Sequence, residues 1–167
     1  GLKRLYEFSK WFNQKGGTNI IIHPNCENIT KTFTNNNFFV VKQNALDRFF
    51  HDCAYLKKIK NDIGDLDFYY SYGIPIYKKI AKKNWFHLSN ISPLIPYSVE
   101  LDLFVKFKMI TLGHRIKSNY SNCDYISAES SYSLSHIPNK YHSRLSLSVN
   151  GSDDEINYYS NKNKEEV

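Results

Sequence analysis

Two short aromatic runs, separated by a segment long enough for a helix, constrain the fold of this chain most strongly. The first begins at Asp67 and reads Asp-Phe-Tyr-Tyr-Ser-Tyr-Gly-Ile-Pro-Ile, and the second spans Lys83 to Asn90 and reads Lys-Asn-Trp-Phe-His-Leu-Ser-Asn. Each run ends in polar residues that include a Gly or a His. This pattern is typical of a strand–helix–strand unit whose parallel strands present loops at their carboxyl ends. It places His87 at the edge where open α/β sheets bind ligands.

The rest of the chain continues this alternation of elements. Hydrophobic periods predict helices over 2–15, 44–61, 74–82, 98–117 and 130–137. β-Branched and aromatic runs predict strands over 18–23, 38–41, 66–71, 84–88, 124–128 and 144–149, and 25–37 is a predicted polar loop. In the helix over 98–117 the period points five apolar side chains inward: Val99, Leu103, Phe104, Phe107 and Ile110. The predicted fold class is therefore α/β, with a Rossmann-like, mostly parallel sheet and helices on both faces.

The organisation of the chain follows from where these elements begin and end. Doubly wound domains start with a strand, whereas this sequence starts inside a helix, so we expect the sheet to lack its first strand. Residues 1–152 are predicted to form one Rossmann-like domain. Residues 153–167 are rich in Asn, Lys and Glu and are predicted to be an interdomain linker or a disordered tail.

Composition and charge limit the partners of the chain. Hydrophobic residues make up 41% of 167 residues, no apolar run is long enough to span a membrane, and the three cysteines are scattered. We therefore expect a cytoplasmic protein. The net charge of +6 has three interpretations, which we rank in this order: a solvated surface, peripheral contact with an anionic membrane, and binding of nucleic acid. Because the sequence contains no aromatic–basic recognition motif, we predict no nucleic-acid partner.

Few side chains carry a chemical signal by position alone. His87 could donate a hydrogen bond to a phosphate or a sugar hydroxyl, or be satisfied by backbone in a half-buried strand. The turn from Tyr72 to Pro75 could admit a ligand close to the backbone at Gly73, or simply connect two elements tightly. No metal site is predicted, because the consecutive residues His51-Asp52-Cys53 point in different directions on a helix and no second cluster has zinc spacing.

Four segments, in chain order, resemble the N-terminal, acceptor-side half of family 4-type glycosyltransferases, which have the two-domain GT-B fold. Residues 1–16 resemble the first helix, and residues 84–90 resemble the strand that ends with a histidine at the donor sugar. Residues 124–134, which begin Asp-Tyr-Ile-Ser-Ala-Glu-Ser-Ser, resemble a late strand and helix of that family. Residues 148–153, Ser-Val-Asn-Gly-Ser-Asp, resemble the turn at the crossover between its domains.

The resemblance implies roles for particular residues. His87 would be catalytic, through a hydrogen bond to the donor sugar or its phosphate. Gly1 would be the remnant of a loop that lets a nucleotide diphosphate approach the first helix, whose N–H groups would face the phosphate. The substrate-binding residues would be Gly1, Tyr72, Gly73, Pro75 and Asn90. No metal and no other cofactor is implied, since helix dipoles and basic side chains stabilise the leaving diphosphate.

The resemblance also implies a function for a complete parent enzyme. That enzyme would transfer a sugar from a nucleotide-sugar donor to a glycan or lipid-linked acceptor, with retention, in bacterial surface-polysaccharide or lipopolysaccharide synthesis. It would work in the cytoplasm, at the inner face of the membrane. Because the family's second domain is absent, this chain is expected to be a fragment that is inactive alone. The alternative is a non-enzymatic basic α/β module that binds an anionic membrane surface or a protein partner.

Overall fold

The computed structural model describes residues 2–42, 60–98 and 100–148, and the chain divides into two compact units, Gly1–Gly64 and Asp65–Val167. The predicted helix over 44–61 lies largely outside the described residues, although 60–63 are helical. Gly1 and the predicted tail from 153 also lie outside them. The assignment of 1–152 to one domain therefore stays a prediction.

The first unit pairs two short strands in parallel. Its elements are α1 (Leu2–Gln14), β1 (Asn19–Ile22), α2 (Asn28–Thr32) and β2 (Asn37–Val40). β1 and β2 run in register from Asn19 opposite Asn37 to Ile22 opposite Val40. The predicted first helix and both strands are confirmed to within two residues. The polar loop predicted over 25–37 is wrong: it contains α2, because Ile29 and Phe33, one helical turn apart, are both buried.

Two glycines with positive φ, Gly16 and Gly17, follow the end of α1, and Gly17 is required there by close contact. Gly17 has a φ of 92° and donates a backbone hydrogen bond to the Phe12 carbonyl at 2.8 Å. A Cβ at this position would collide with the Asn35 carbonyl oxygen. Buried Asn36 next to it accepts a hydrogen bond from the Thr18 N–H and donates one to the Ser9 carbonyl. The turn before β2 is thereby held against the end of α1.

The second unit is an α/β structure with a four-stranded parallel sheet. Its elements are β3 (Leu66–Tyr72), β4 (Ala81–Leu88), α3 (Leu103–Asn119), β5 (Tyr125–Ala128), α4 (Ser131–Ser135) and β6 (Leu145–Leu147). The strands lie in the order β3-β4-β5-β6, and every adjacent pair is parallel. The predicted fold class is confirmed: the parallel sheet is flanked by helices, consistent with a Rossmann-like fold.

Alternate residues along these strands separate the sheet into two faces. One face contributes to the buried core: Ile76, Phe86, Leu88, Leu94, Ile116, Tyr120, Cys123, Ile126, Ala128 and Ile137. The register places the remaining strand positions on the opposite face, which is rich in aromatic and polar side chains: Phe68, Tyr70, Tyr72, Trp85, His87, Tyr125 and Ser127. His87 therefore belongs to the aromatic face of the sheet, on the side away from this core.

The helix predicted over 74–82 is wrong, since 73–80 form an irregular crossover between β3 and β4. A parallel connection must return along the whole strand, which for β3 is roughly 23 Å at ~3.3 Å per residue. Nine helical residues would rise only about 14 Å. An extended crossover covers that distance, and buried Pro75 and Ile76 anchor its middle. The Asn84 amide oxygen accepts hydrogen bonds from the Ile80 and Ala81 N–H groups at its end.

The predicted orientation of α3 is also wrong, because Leu103, Phe104 and Phe107 are exposed. Val99 lies outside the described residues, and Ile110 is half-buried. Asp102 caps the helix by accepting a hydrogen bond from the Val105 N–H at 3.0 Å, so that α3 begins at Leu103. The side of α3 that is buried contains Gly113 and Ile116. At about 100° per residue this side lies nearly opposite to the exposed apolar side chains.

Candidate functional site

His87 lies at the carboxyl end of β4 and is completely buried. It stands opposite Ser127 of β5 in the sheet register, and its Nδ1 atom is 2.8 Å from the Ser127 hydroxyl oxygen. Two adjacent parallel strands end here, so side chains of both converge on one edge of the sheet. The predicted position of His87 at a strand end is therefore correct, and its ring is enclosed.

The Ser127 hydroxyl joins His87 to a tryptophan. The Trp85 indole Nε1–H donates to the Ser127 oxygen at 2.7 Å. An indole can only donate, whereas a hydroxyl both donates and accepts. The Ser127 hydroxyl therefore accepts from Trp85, and it donates to Nδ1 of His87 when that nitrogen is unprotonated and accepts from it when it is protonated. The other ring nitrogen, Nε2, faces away from Ser127.

Glu129 follows β5 and faces the other nitrogen of His87. Its Oε1 atom is 3.7 Å from Nε2, too far for a direct hydrogen bond but within ion-pair distance when the imidazole is protonated. The Tyr72 hydroxyl lies 3.4 Å from the same oxygen and can donate to it. The Tyr72 ring also stacks on the imidazole, with centroids 5.1 Å apart and planes 7° apart.

These five side chains form what we call the strand-end cluster: Tyr72, Trp85, His87, Ser127 and Glu129. Tyr72, His87 and Ser127 lie at the carboxyl ends of β3, β4 and β5. Trp85 lies two residues before His87, and Glu129 directly follows β5. The Glu129 side chain is 33% exposed, whereas the His87 side chain is fully enclosed. A ligand that reaches this edge of the sheet would therefore meet the Glu129 carboxylate before it met the imidazole.

Of the other predicted site residues, some lie beside His87 and others do not. Gly73 donates its N–H to the His87 carbonyl at 2.8 Å, and its φ of 73° favours glycine. A Cβ there would also require the Ser89 hydroxyl to turn away. Pro75 is buried in the crossover. Asn90 is exposed, and its amide oxygen accepts a hydrogen bond from the Ser92 N–H at 2.9 Å. Gly73 thus joins Tyr72 and His87, whereas Asn90 holds the turn that follows β4 and Pro75 serves packing.

Sequence reasoning did not select Ser127 or Glu129 as site residues. Ser127 is a polar residue between Ile126 and Ala128 in an otherwise apolar strand, which is an unusual place for a hydroxyl that has no partner. Glu129 is the first carboxylate beyond that strand. Both residues can be noticed in the sequence, but only the strand order, which sets β5 beside β4, shows that they contact His87.

A second polar cluster lies at the amino ends of the strands and has a structural role. Asp124 accepts hydrogen bonds from the backbone N–H of buried Asn84 at 2.9 Å and from Lys79 at 3.2 Å. Burial acts to raise the pKa of Asp124, but these hydrogen bonds outweigh it and lower the pKa below its ordinary value. Next to it, burial raises the pKa of the Cys123 thiol to about 12, so this thiol is not a nucleophile at neutral pH.

Two kinds of site are not found in the part of the chain that the structure describes. No three or more His, Cys, Asp or Glu side chains among residues 2–42, 60–98 and 100–148 are grouped so that they could hold a metal ion. None of the helices in those ranges combines the length and the apolar character that crossing a bilayer requires.

Comparison of the chain with protein-family models, with curated proteins and with solved structures gives no match in any of the three.

Proposed function

We propose that this chain is the acceptor-side half of a GT-B glycosyltransferase of family 4 type. Its parent enzyme transfers a sugar from a nucleotide-sugar to a glycan or lipid-linked acceptor in bacterial surface-polysaccharide or lipopolysaccharide synthesis, at the inner face of the cytoplasmic membrane. The proposal joins the resemblance of the four sequence segments to the α/β fold of the second unit. The chain alone is inactive in this proposal, because the nucleotide is bound mainly by the other domain.

The observation that carries the proposal is the strand-end cluster. In open α/β sheets, ligands bind outside the carboxyl ends of the strands, where this cluster lies. The partly exposed Glu129 carboxylate can accept hydrogen bonds from sugar hydroxyls, and the Tyr72 hydroxyl orients it by hydrogen bonding to the same oxygen. A carboxylate and a phenol side by side provide the acceptors and donors that a polyhydroxylated ligand needs.

In this proposal, His87 acts beside Glu129. Ser127 holds the imidazole by Nδ1, so that Nε2 is directed at the Glu129 carboxylate. Rotation of the Glu129 side chain opens Nε2 to the donor sugar or its phosphate. A protonated imidazole at that position stabilises the negative charge that develops on the leaving diphosphate. His87 is then the catalytic residue and Ser127 a positioning residue.

The test is made in a protein that joins this chain to an upstream strand and a C-terminal nucleotide-binding domain of family 4 type. Release of nucleoside diphosphate is measured with a panel of nucleotide-sugars and lipid-linked acceptors. We expect turnover in the joined protein and none in the chain alone. His87→Ala should lower kcat by about 100-fold or more, the size expected when a group that stabilises developing charge in the transition state is lost. Glu129→Gln, which replaces a charged hydrogen-bond acceptor for the sugar by a neutral one, should lower kcat by about tenfold.

Two further variants separate chemistry from folding. Tyr72→Phe keeps the ring that stacks on His87 and removes only the hydroxyl, so it should lower kcat by about tenfold, the equivalent of one hydrogen bond. Glu7→Gln makes the same chemical change as Glu129→Gln at an exposed position of α1 and should leave kcat unchanged. Turnover that survives His87→Ala would exclude the role of His87, and a folded joined protein without any turnover would exclude sugar transfer.

The alternative function, a basic α/β module that binds an anionic membrane or a protein partner, is favoured by a different observation. Large apolar side chains on α3 are exposed to solvent. A joined protein that never releases nucleoside diphosphate, together with a short chain that binds anionic vesicles, would favour this function over sugar transfer.

A further inference from the structure

The first two turns of α3 expose three large apolar side chains. Leu103, Phe104 and Phe107 are 87%, 79% and 63% exposed. We call these three residues the α3 apolar face. The second half of the same helix is different, since Gly113 and Ile116 are buried and Ile116 belongs to the core cluster. Neighbouring apolar side chains of this size that are exposed to solvent commonly mark a surface that a partner or a membrane covers.

Basic side chains flank this face on both sides. At about 100° per residue, Lys108 lies roughly 90° to one side of the mean direction of the α3 apolar face, and Lys106 roughly 110° to the other. The Lys106 ammonium lies 5.1 Å from the centre of the Tyr97 ring, which is itself 75% exposed. Lysines at both edges of an apolar stripe can extend their stems along it and reach outward with their charges.

An open groove of about 310 Å³ continues the apolar surface along the helix. It lies between α3 and residues 93–98, and Tyr97 lines it and also contacts Lys106. Its lining further along α3 includes Ile110, His114 and Lys117. The apolar surface therefore extends beyond the first two turns and remains bordered by basic residues.

The charge of this region favours an anionic partner. From 97 to 117 the sequence has four basic residues, Lys106, Lys108, Arg115 and Lys117, and two acidic ones, Glu100 and Asp102. Asp102 is engaged as the cap of α3. Both acidic residues precede the helix, so that every charged residue within α3 is basic.

We propose that the α3 apolar face docks on an anionic lipid bilayer. Leu103, Phe104 and Phe107 enter the boundary between head groups and acyl chains, while Lys106 and Lys108 contact lipid phosphates, as in helices that lie in the plane of a membrane. A bilayer can contact the lysines at both edges of the α3 apolar face at once, because anionic head groups surround an inserted helix on every side. The docking does not depend on sugar transfer, and it would keep the chain beside any lipid-linked ligand.

The experiment is co-sedimentation of the full chain with vesicles of phosphatidylcholine alone or mixed with phosphatidylglycerol. We expect binding to the anionic vesicles and at least tenfold weaker binding to the neutral ones. The variant Phe104→Ser/Phe107→Ser should weaken binding at least tenfold, and so should Lys106→Gln/Lys108→Gln. Added salt should weaken the binding of the unmodified chain and have less effect on the lysine variant.

Matched controls make the same changes elsewhere in the second unit. Tyr132→Ser removes an aromatic ring that is also exposed, and Lys78→Gln/Lys83→Gln removes two exposed lysines and therefore the same charge. Both should bind anionic vesicles as the unmodified chain does. Equal loss in the controls would overturn the assignment to α3. Absence of vesicle binding would overturn the proposal. It would also be overturned if the unmodified chain sedimented as a dimer, and if Phe104→Ser/Phe107→Ser made it a monomer that still bound anionic vesicles.

Discussion

Replacing Ser127 with Ala should destabilise the second unit through two groups that lose the same partner. The Trp85 indole N–H and the His87 Nδ1 atom both hydrogen-bond to the Ser127 hydroxyl, at 2.7 and 2.8 Å. His87 and Ser127 are fully buried, so water cannot replace the hydroxyl at Nδ1. Trp85 is half-buried, and its N–H can partly turn to solvent. A buried polar group left unsatisfied costs about 1–3 kcal/mol, so we expect a loss of about 2 kcal/mol in the free energy of unfolding.

The position of the two tryptophans makes this loss measurable in one unit alone. The chain has two tryptophans, Trp11 in the first unit and Trp85 in the second. In a Trp11→Phe background, indole fluorescence during urea unfolding reports on the sheet that contains Ser127. The expected loss corresponds to about a 30-fold change in the unfolding equilibrium constant, which should appear as a lower urea midpoint at an unchanged slope.

A control of the same chemistry lies on the neighbouring strand. Ser146 of β6 stands opposite Ser127 in the register, but it is exposed. Ser146→Ala should change the free energy of unfolding by no more than about 0.5 kcal/mol, as is usual for surface positions. If both variants lose the same amount, or if Ser127→Ala loses less than about 0.5 kcal/mol, then the buried hydroxyl does not hold the cluster together.

Two other predictions concern the stability of the second unit, one through the charge of Asp124 and one through packing at Gly113. Because hydrogen bonds lower the pKa of Asp124 in the folded protein below its ordinary value of 3.8, its carboxylate contributes stability above that pH and loses the contribution as the pH falls through the lowered pKa. Asp124→Asn should therefore flatten the loss of unfolding free energy between about pH 5 and pH 2, and an unchanged acid limb in denaturant titrations would contradict this. Gly113→Ala should destabilise the second unit by about 1–3 kcal/mol despite the better helix propensity of Ala, because a Cβ there would collide with the Pro93 carbonyl oxygen. Thermal unfolding measures this change, and a stabilised variant would show that α3 can move away from Pro93.

The sequence predicted the strands well because their signals are local. The runs 66–72 and 81–88 each contain adjacent aromatic residues and are followed by Gly or by a polar turn, so their existence and their order along the chain could be read from the sequence. Their strict alternation also separates core residues such as Phe86 from His87 on the other face. His87 could be placed at a strand end for the same reason.

The errors came from questions that local patterns do not answer. Apolar residues at helical spacing were equally compatible with a helix over 74–82 and with the extended crossover, and only the length of the parallel strands decides between them. The spacing of Leu103, Phe104 and Phe107 defined a helical face correctly, but it did not show whether protein or another phase lies against that face. Ser127 and Glu129 were missed because their partners are distant in sequence.

The short crossover between β3 and β4 also bears on the order in which the strand-end cluster forms during folding. Residues 73–80 alone separate these strands, whereas residues 89–124 separate β4 from β5. Closing the shorter loop costs about 1 kcal/mol less chain entropy, so β3 and β4 should pair first. Tyr72 would then stack on His87 before β5 brings Ser127 and Glu129 to the two nitrogens of the imidazole. A nascent chain that stops before β5 would thus hold the stacked pair without the two groups that face its nitrogens.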